Sequence, residues 1–239
     1  MQGAEDMENV LDILVVNINN LTLTQDLVKD VMAQDTQYLL TVVDQGSTEP
    51  GTTNWLDIAE TFSPRISIIR NDSNISLSRL WNNHYRSSQC KYLCFLNNDM
   101  RVPHNFVSDT VKIFEAESTV GAVVHTTNHP DFSEPTALEY VIYDSKFCQG
   151  WDFSIRKEAY TPVPDTIKTF GGDDYVYWHM YEAGWKAAVA LSSPVTHFHA
   201  KSRQYYDGDR EEDTKNTKEL VPERMPYYNR FTRKKPCPA

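Results

Sequence analysis

No apolar run in this chain approaches the length needed to cross a bilayer. Its first residues, MQGAEDMEN, are acidic and polar and do not read as a secretory leader. Both absences lead to the expectation of a soluble, cytoplasmic protein. Cysteine is scarce. Cys90, Cys94, Cys148 and Cys237 do not fall into two pairs at zinc spacing, so they are expected to be buried or idle thiols. Positive charge is in the minority. Against 33 acidic residues stand 23 Lys and Arg, a formal net charge of −10. Such a balance counts against bulk binding to nucleic acid without excluding it. Three nucleotide or nucleophile signatures are also missing: G-x-G-x-x-G after the first strand, G-x-x-x-x-G-K-S/T, and G-x-S-x-G.

What is present suits one compact α/β domain. The chain has 239 residues, 40% of them hydrophobic, enough for a sizeable core. Asp12 to Ile18 (DILVVNI), Tyr38 to Val43 (YLLTVV), Ile66 to Ile69 (ISII) and Tyr92 to Leu96 (YLCFL) read as short buried strands. Helical spacing separates them: Leu23, Leu27 and Val31; Trp55, Ile58, Ala59 and Phe62; Leu77, Leu80 and Trp81 behind a Ser76 cap. Strands alternating with helices predict a mostly parallel sheet with helices on both faces. Beyond about residue 104 the pattern is less regular. Strands are expected at Gly121–His125, near Gly150–Arg156 and from Trp185 to Leu191. A helix is expected after Phe170 to Asp174 (FGGDD).

In such sheets ligands sit beyond the carboxyl ends of the strands. Strand one delivers Asn17, Asn19 and Asn20 there. Strand two delivers Asp44, Gln45 and Ser47, strand three Asn71, Asp72 and Asn74, and strand four Asn97, Asn98 and Asp99. A loop is polar by default. Recurrence at four successive strand ends points to a binding rim.

These segments, in order, resemble family 2 glycosyltransferases of the GT-A (Rossmann-like) fold, and their rhamnosyltransferase-like branch. The resemblance covers roughly Asp12 to Ser202. DILVVNINN is similar to the opening strand, and LLTVVDQGSTEPGT to the VVDDGSTDGT segment. RNDSNISLSRLWNN resembles the Asn-rich stretch before the next helix, and FLNNDM has the form of the DxD motif. FGGDDYVYWHMYEAGW resembles the acidic segment of the catalytic base. VTHFHAKS resembles the late His-x-x-x-x-Ser motif.

The resemblance implies a metal-dependent, inverting transfer from a UDP-, GDP- or dTDP-sugar to a hydroxyl acceptor, chiefly a saccharide or lipid-linked glycan. Asn17, Asn19, Asp44, Gln45, Asn74, Asn97, Asn98 and Asp99 would hold the nucleotide sugar. Asp99 with His197 or His199 would bind Mn²⁺ or Mg²⁺, hard ions suited to carboxylate and imidazole ligands. Asp174 or Asp173 would be the general base. Trp151 and Asp152 would frame the sugar or acceptor. The chain departs from the pattern at Gln45, where the family usually has a second Asp, and at Asn97, the first position of DxD. Asn97 and Asn98 either orient ribose and phosphate or cap the turn. Arg156 reads as a surface charge.

The expected division is a glycosyltransferase domain over 1–204, with a nucleotide-binding half (1–103) and an acceptor-binding half (104–204), and a polar tail over 205–239. Arg230, Arg233, Lys234 and Lys235 make the end of that tail basic. It is expected to be solvated, or to make weak peripheral contact with anionic lipid. Two other functions stay open at this point: transfer to a protein or modified nucleic-acid base, and a nucleotide-sugar-binding protein without catalysis.

Overall fold

A computed structural model describes residues 10–127, 137–198, 210–222 and 226. The order of elements begins β1 (Leu11–Asn17), α1 (Leu21–Met32), β2 (Tyr38–Gln45), α2 (Thr52–Ala59), β3 (Ile66–Asn71), α3 (Leu77–Ser87), β4 (Tyr92–Asn97). It continues β5 (Met100–Arg101), α4 (Phe106–Ala116), β6 (Val120–Thr127), β7 (Tyr140–Tyr143), β8 (Asp152–Arg156), α5 (Gly172–Glu182), β9 (Lys186–His197) and α6 (Arg210–Leu220). Among the described residues the strands run β3-β2-β1-β4-β8-β6-β9-β5, with β7 also on β9. β1 to β4 are mutually parallel, and β6 is parallel to β9. β8 enters antiparallel between β4 and β6. The sheet is therefore mixed, and parallel where the nucleotide-binding half was expected.

β1 is buried along its whole length, as expected of a strand covered on both faces. Alternation sorts its side chains. Leu11, Ile13 and Val15 join Leu27, Val28 and Val31 of α1 and Phe106 and Phe114 of α4 in one core. Leu14 and Val16 join Leu80 and Trp81 of α3 and Val176, Tyr177 and Met180 of α5 in the other. Two apolar layers thus clamp the sheet and hold its carboxyl rim in fixed register. Asn17 lies opposite Asp44, Gln45 opposite Asn71, and Val16 opposite Asn97.

Arg156 corrects an expectation. It is buried, not a surface charge. Its guanidinium lies over the stacked Tyr92 and Phe114 rings and donates to the carbonyls of Val120 (2.7 Å), Phe114 and Glu117 (3.1 Å). These carbonyls lie at and just beyond the end of α4, where a cation offsets the helix dipole and satisfies orphan acceptors.

Part of the expected tail has regular structure. α6 docks beside the start of α5 through the buried Asp213 and Thr217. The basic residues 230–235, and His199 and Ser202 of the late motif, lie outside the described residues. Among the described residues no helix is long and apolar enough to cross a membrane.

Candidate active site

The strand-one and strand-two rims interlock. Asn17, fully buried, donates to the Asp44 carboxylate (2.7 Å) and the Ser47 hydroxyl (3.2 Å). Its amide oxygen accepts from Thr24 (2.6 Å) and Asn98 (3.1 Å). Asn98 also donates to Thr24 (3.0 Å). Asn17 and Asn98 therefore tie β1, α1, β2 and the β4 end together from inside. Asn19 has φ of 54°, in the left-handed region that Asn tolerates. That turn aims its amide oxygen at the Thr48 and Glu49 N–H groups, each at 2.8 Å, and its own N–H donates to Ser47 at 2.7 Å. Asn19 holds the Asp44–Glu49 turn in place.

Gln45 is buried and braces the next loop. Its amide donates to Asn74 Oδ1 (3.0 Å) and the Ile75 carbonyl (2.6 Å) and accepts from Asn71 (2.7 Å). A carboxylate here would lose both donations. The Gln45 substitution thus fixes the course of residues 71–75, and Asn74 is held within that loop. At Gly46 (φ 72°) a side chain would press on the Asp72 carbonyl, so glycine lets the two rims close on each other.

At the end of β4 the chain turns at once into β5. Met100 and Arg101 pair with His197 and Thr196 at the end of β9, and the Phe198 N–H donates to the Asp99 carbonyl (3.0 Å). This clasp sets His197 Nε2 3.2 Å from Asp99 Oδ1, both side chains being almost wholly buried. The Trp151 ring stacks on the His197 ring, with centroids 5.4 Å apart and planes at 18°. Trp151 is itself pinned: its indole N–H donates to Thr127 (3.2 Å), and its carbonyl accepts from the Asn97 N–H (2.9 Å).

The acidic pair opens α5. Gly171, at φ 87°, makes the turn into the helix, so Asp173 and Asp174 fall in its first turn, where the dipole favours negative charge. Both are buried. Asp173 packs against Gly150, where an added Cβ would overlap its carboxylate. Asp174 Oδ1 lies 3.7 Å from the Cys148 thiol. The segment from Cys148 to Trp151 thus touches the acids with one end and His197 with the other.

Asp152, expected to frame the sugar or acceptor, is instead fully buried and turned into the sheet. Its carboxylate accepts from the His125 N–H (3.2 Å), the His125 ring (3.1 Å) and Gln149. Burial pushes its carboxyl above the ordinary value, against the opposing pull of these bonds. The structure brings Trp151 against His197 and turns Asp152 towards His125 and Gln149. Gln149 and His125, which secure this segment, went unnoticed in the sequence. Both are polar letters in unremarkable contexts.

Among the described residues no three His, Cys, Asp or Glu side chains cluster as a ready-made metal cage. The Asp99–His197 pair still fits a divalent ion. Neighbouring ligands of an octahedral ion at 2.0–2.1 Å lie roughly 3 Å apart, close to the spacing observed here. An ion that keeps waters and shares substrate phosphates needs few protein ligands.

A mixed sheet with interlocked polar loops at its carboxyl rim, an acid–imidazole pair beyond β4 and buried acids opening α5 define a glycosyltransferase of the GT-A type. The profile of glycosyl transferase family 2 matches residues 12–178, and the chain belongs to that family. Among solved structures, GalNAc-T7 with UDP, GalNAc and Mn²⁺ superposes with a TM-score of 0.71 at 13% identity, over 89% of this chain and 48% of that one. The S. aureus protein TarS in complex with UDP-GlcNAc superposes with a TM-score of 0.65 at 12% identity, over 86% of this chain and 64% of that one. Such identities speak for the fold. The chain spans less than two thirds of the length of either structure. No curated protein matches it.

Proposed function

We propose that the chain transfers a sugar, with inversion, from a nucleoside-diphosphate sugar to a hydroxyl acceptor, and that a divalent ion assists. The observation that carries this reading is the Asp99–His197 pair, held at 3.2 Å beyond β4 and joined through Trp151 and Gly150 to Asp173. Asp99 and His197 would hold Mn²⁺ or Mg²⁺, which when bound offsets charge on the departing diphosphate. The Asp44 turn, fixed by Asn17 and Asn19, would seat the nucleoside. Asn97 would lie beside the diphosphate. The Asp173–Asp174 pair supplies the general base: one carboxylate takes the acceptor proton as its oxygen attacks the anomeric carbon opposite the leaving group. Burial of both acids keeps water from the base.

UDP is the preferred donor nucleotide, because both structural relatives were crystallised with UDP or a UDP-sugar. The Asn-Asn-Asp form of the β4 end favours instead the rhamnosyltransferase-like branch, with a dTDP-sugar as the alternative donor. The preferred acceptor is a saccharide, free or lipid-linked. A binding protein without catalysis is the weaker reading: DxD has lost one acid, but His197, 3.2 Å from Asp99, would supply a second ligand.

The test is diphosphate release from UDP-, GDP- and dTDP-sugars in Mn²⁺, with the product anomer assigned by NMR. Release from one donor with an inverted anomer supports the proposal. Retention of configuration removes the single-displacement step. No binding or release from any donor removes the function.

A further inference from the structure

α6 lies outside the matched residues 12–178 and is almost wholly polar, REEDTKNTKEL. Its spacing nevertheless puts Asp213, Thr217 and Val221 on one stripe, all three buried. Asp213 is the centre of that contact. Its carboxylate accepts three consecutive backbone N–H groups: Lys168 (2.9 Å), Thr169 (2.8 Å) and Phe170 (2.9 Å). Asn216 donates to the Thr166 carbonyl at 2.6 Å. Thr217 packs on Gly171, where a side chain would collide with its hydroxyl. The Arg210 guanidinium lies over the Phe170 ring. Residues 166–171 are the approach to α5, and Asp173 follows two residues later. On the other side the Ser78 N–H of α3 donates to the Lys168 carbonyl (3.0 Å).

We infer that Asp213 is a positioning residue for the general base: α6 clasps the 168–170 backbone and thereby fixes where α5 begins and where the Asp173 and Asp174 carboxylates point. This rests on the proposed transfer reaction. Three charge-assisted bonds to successive amides define that backbone more tightly than a loop's own contacts do. A carboxylate displaced by about 1 Å from the acceptor hydroxyl costs on the order of 10²-fold in rate. The proposed donor groups lie on β1, β2, the 71–75 loop, the β4–β5 turn and the end of β9, whereas Asp213 bonds the 168–170 backbone, so donor affinity is expected to change little.

The test compares the full wild-type chain with Asp213→Asn and, as a milder variant retaining the carboxylate, Asn216→Ala. Three readouts are taken: hydrogen exchange of the amides at 168–174, UDP affinity in Mn²⁺ by calorimetry, and diphosphate release from the active donor. Asp213→Asn should speed exchange at 168–170, leave UDP affinity within about twofold, and lower turnover roughly tenfold to a hundredfold. Asn216→Ala should move exchange and turnover in the same direction by less. If Asp213→Asn fails to fold, Asn216→Ala carries the decision by the same three readouts. Unchanged exchange overturns the clasp. Faster exchange with wild-type turnover overturns the positioning role, as does a joint loss of UDP affinity. A wild-type chain that binds no nucleotide sugar overturns the transfer reading and the catalytic half of this one, whereas the exchange data judge the clasp independently.

Discussion

Asp99 and His197 meet side chain to side chain at 3.2 Å although one sits in the β4–β5 turn and the other is the last residue of β9, which pairs with β5. Neither strand alone makes the pair. If it holds the ion, Asp99→Ala should abolish Mn²⁺-dependent UDP binding and His197→Ala should raise the Mn²⁺ requirement about tenfold or more, with the fold retained. Calorimetry with and without EDTA measures both. Unchanged metal-dependent affinity in Asp99→Ala rejects the site.

Asp173 and Asp174 differ in their neighbours, Gly150 for one and Cys148 for the other. An isosteric amide at the base position should lower turnover roughly 10²–10⁴-fold with donor affinity kept. The amide at the other position should cost far less. Single-turnover rates of Asp173→Asn and Asp174→Asn make the assignment. Wild-type rates in both would mean that neither acid takes the proton.

Gly150→Ala is the sharper geometric test. The new methyl would overlap the Asp173 carboxylate and push it or the Trp151 segment aside. Turnover should fall at least tenfold on the scale of misplaced catalytic groups, while UDP still binds. Full activity in this variant would show that the contact between residue 150 and Asp173 is slack.

Asp152 gives a pH signature. Burial raises its folded-state pKa above the unfolded one, so the folded protein holds this proton more tightly. Its contribution to stability is therefore fully present below the unfolded value of about 3.9 and is lost as pH rises through the raised folded value. Asp152→Asn does not titrate. The gap in unfolding free energy between wild type and variant should shift towards the variant as pH rises above roughly 4. Urea melts across that range would refute the assignment if the gap stays constant.

The parallel strands were legible because their apolar runs end abruptly in Asn or Asp, and that boundary is also the polar rim of the sheet. Asn17, Asp44 and Asp99 were placed at the strand ends in that way. The roles of Gln45, Asp152 and Arg156 were not. A polar letter on a strand reads the same whether it faces a cleft or a buried partner, and here β8 turns Asp152 inward to His125. β5 and β7, of two and four residues, are too short for periodicity to mark. α6 escaped for another reason: its inward stripe includes Asp213 and Thr217, so no apolar pattern announces the helix.

The reversal at β9 has a consequence for the order of assembly. Strands β1 to β4 close their registers from the first hundred residues, so a nascent chain can form its polar carboxyl rim early. The His197 imidazole, the proposed second ion ligand, arrives about a hundred residues later, after the segments of β6, β7 and β8 have been made. During synthesis at about 5–20 residues per second, the rim would exist for seconds before its second ligand. On the proposed reading, a half-made chain would hold its nucleoside seat before it held both ion ligands.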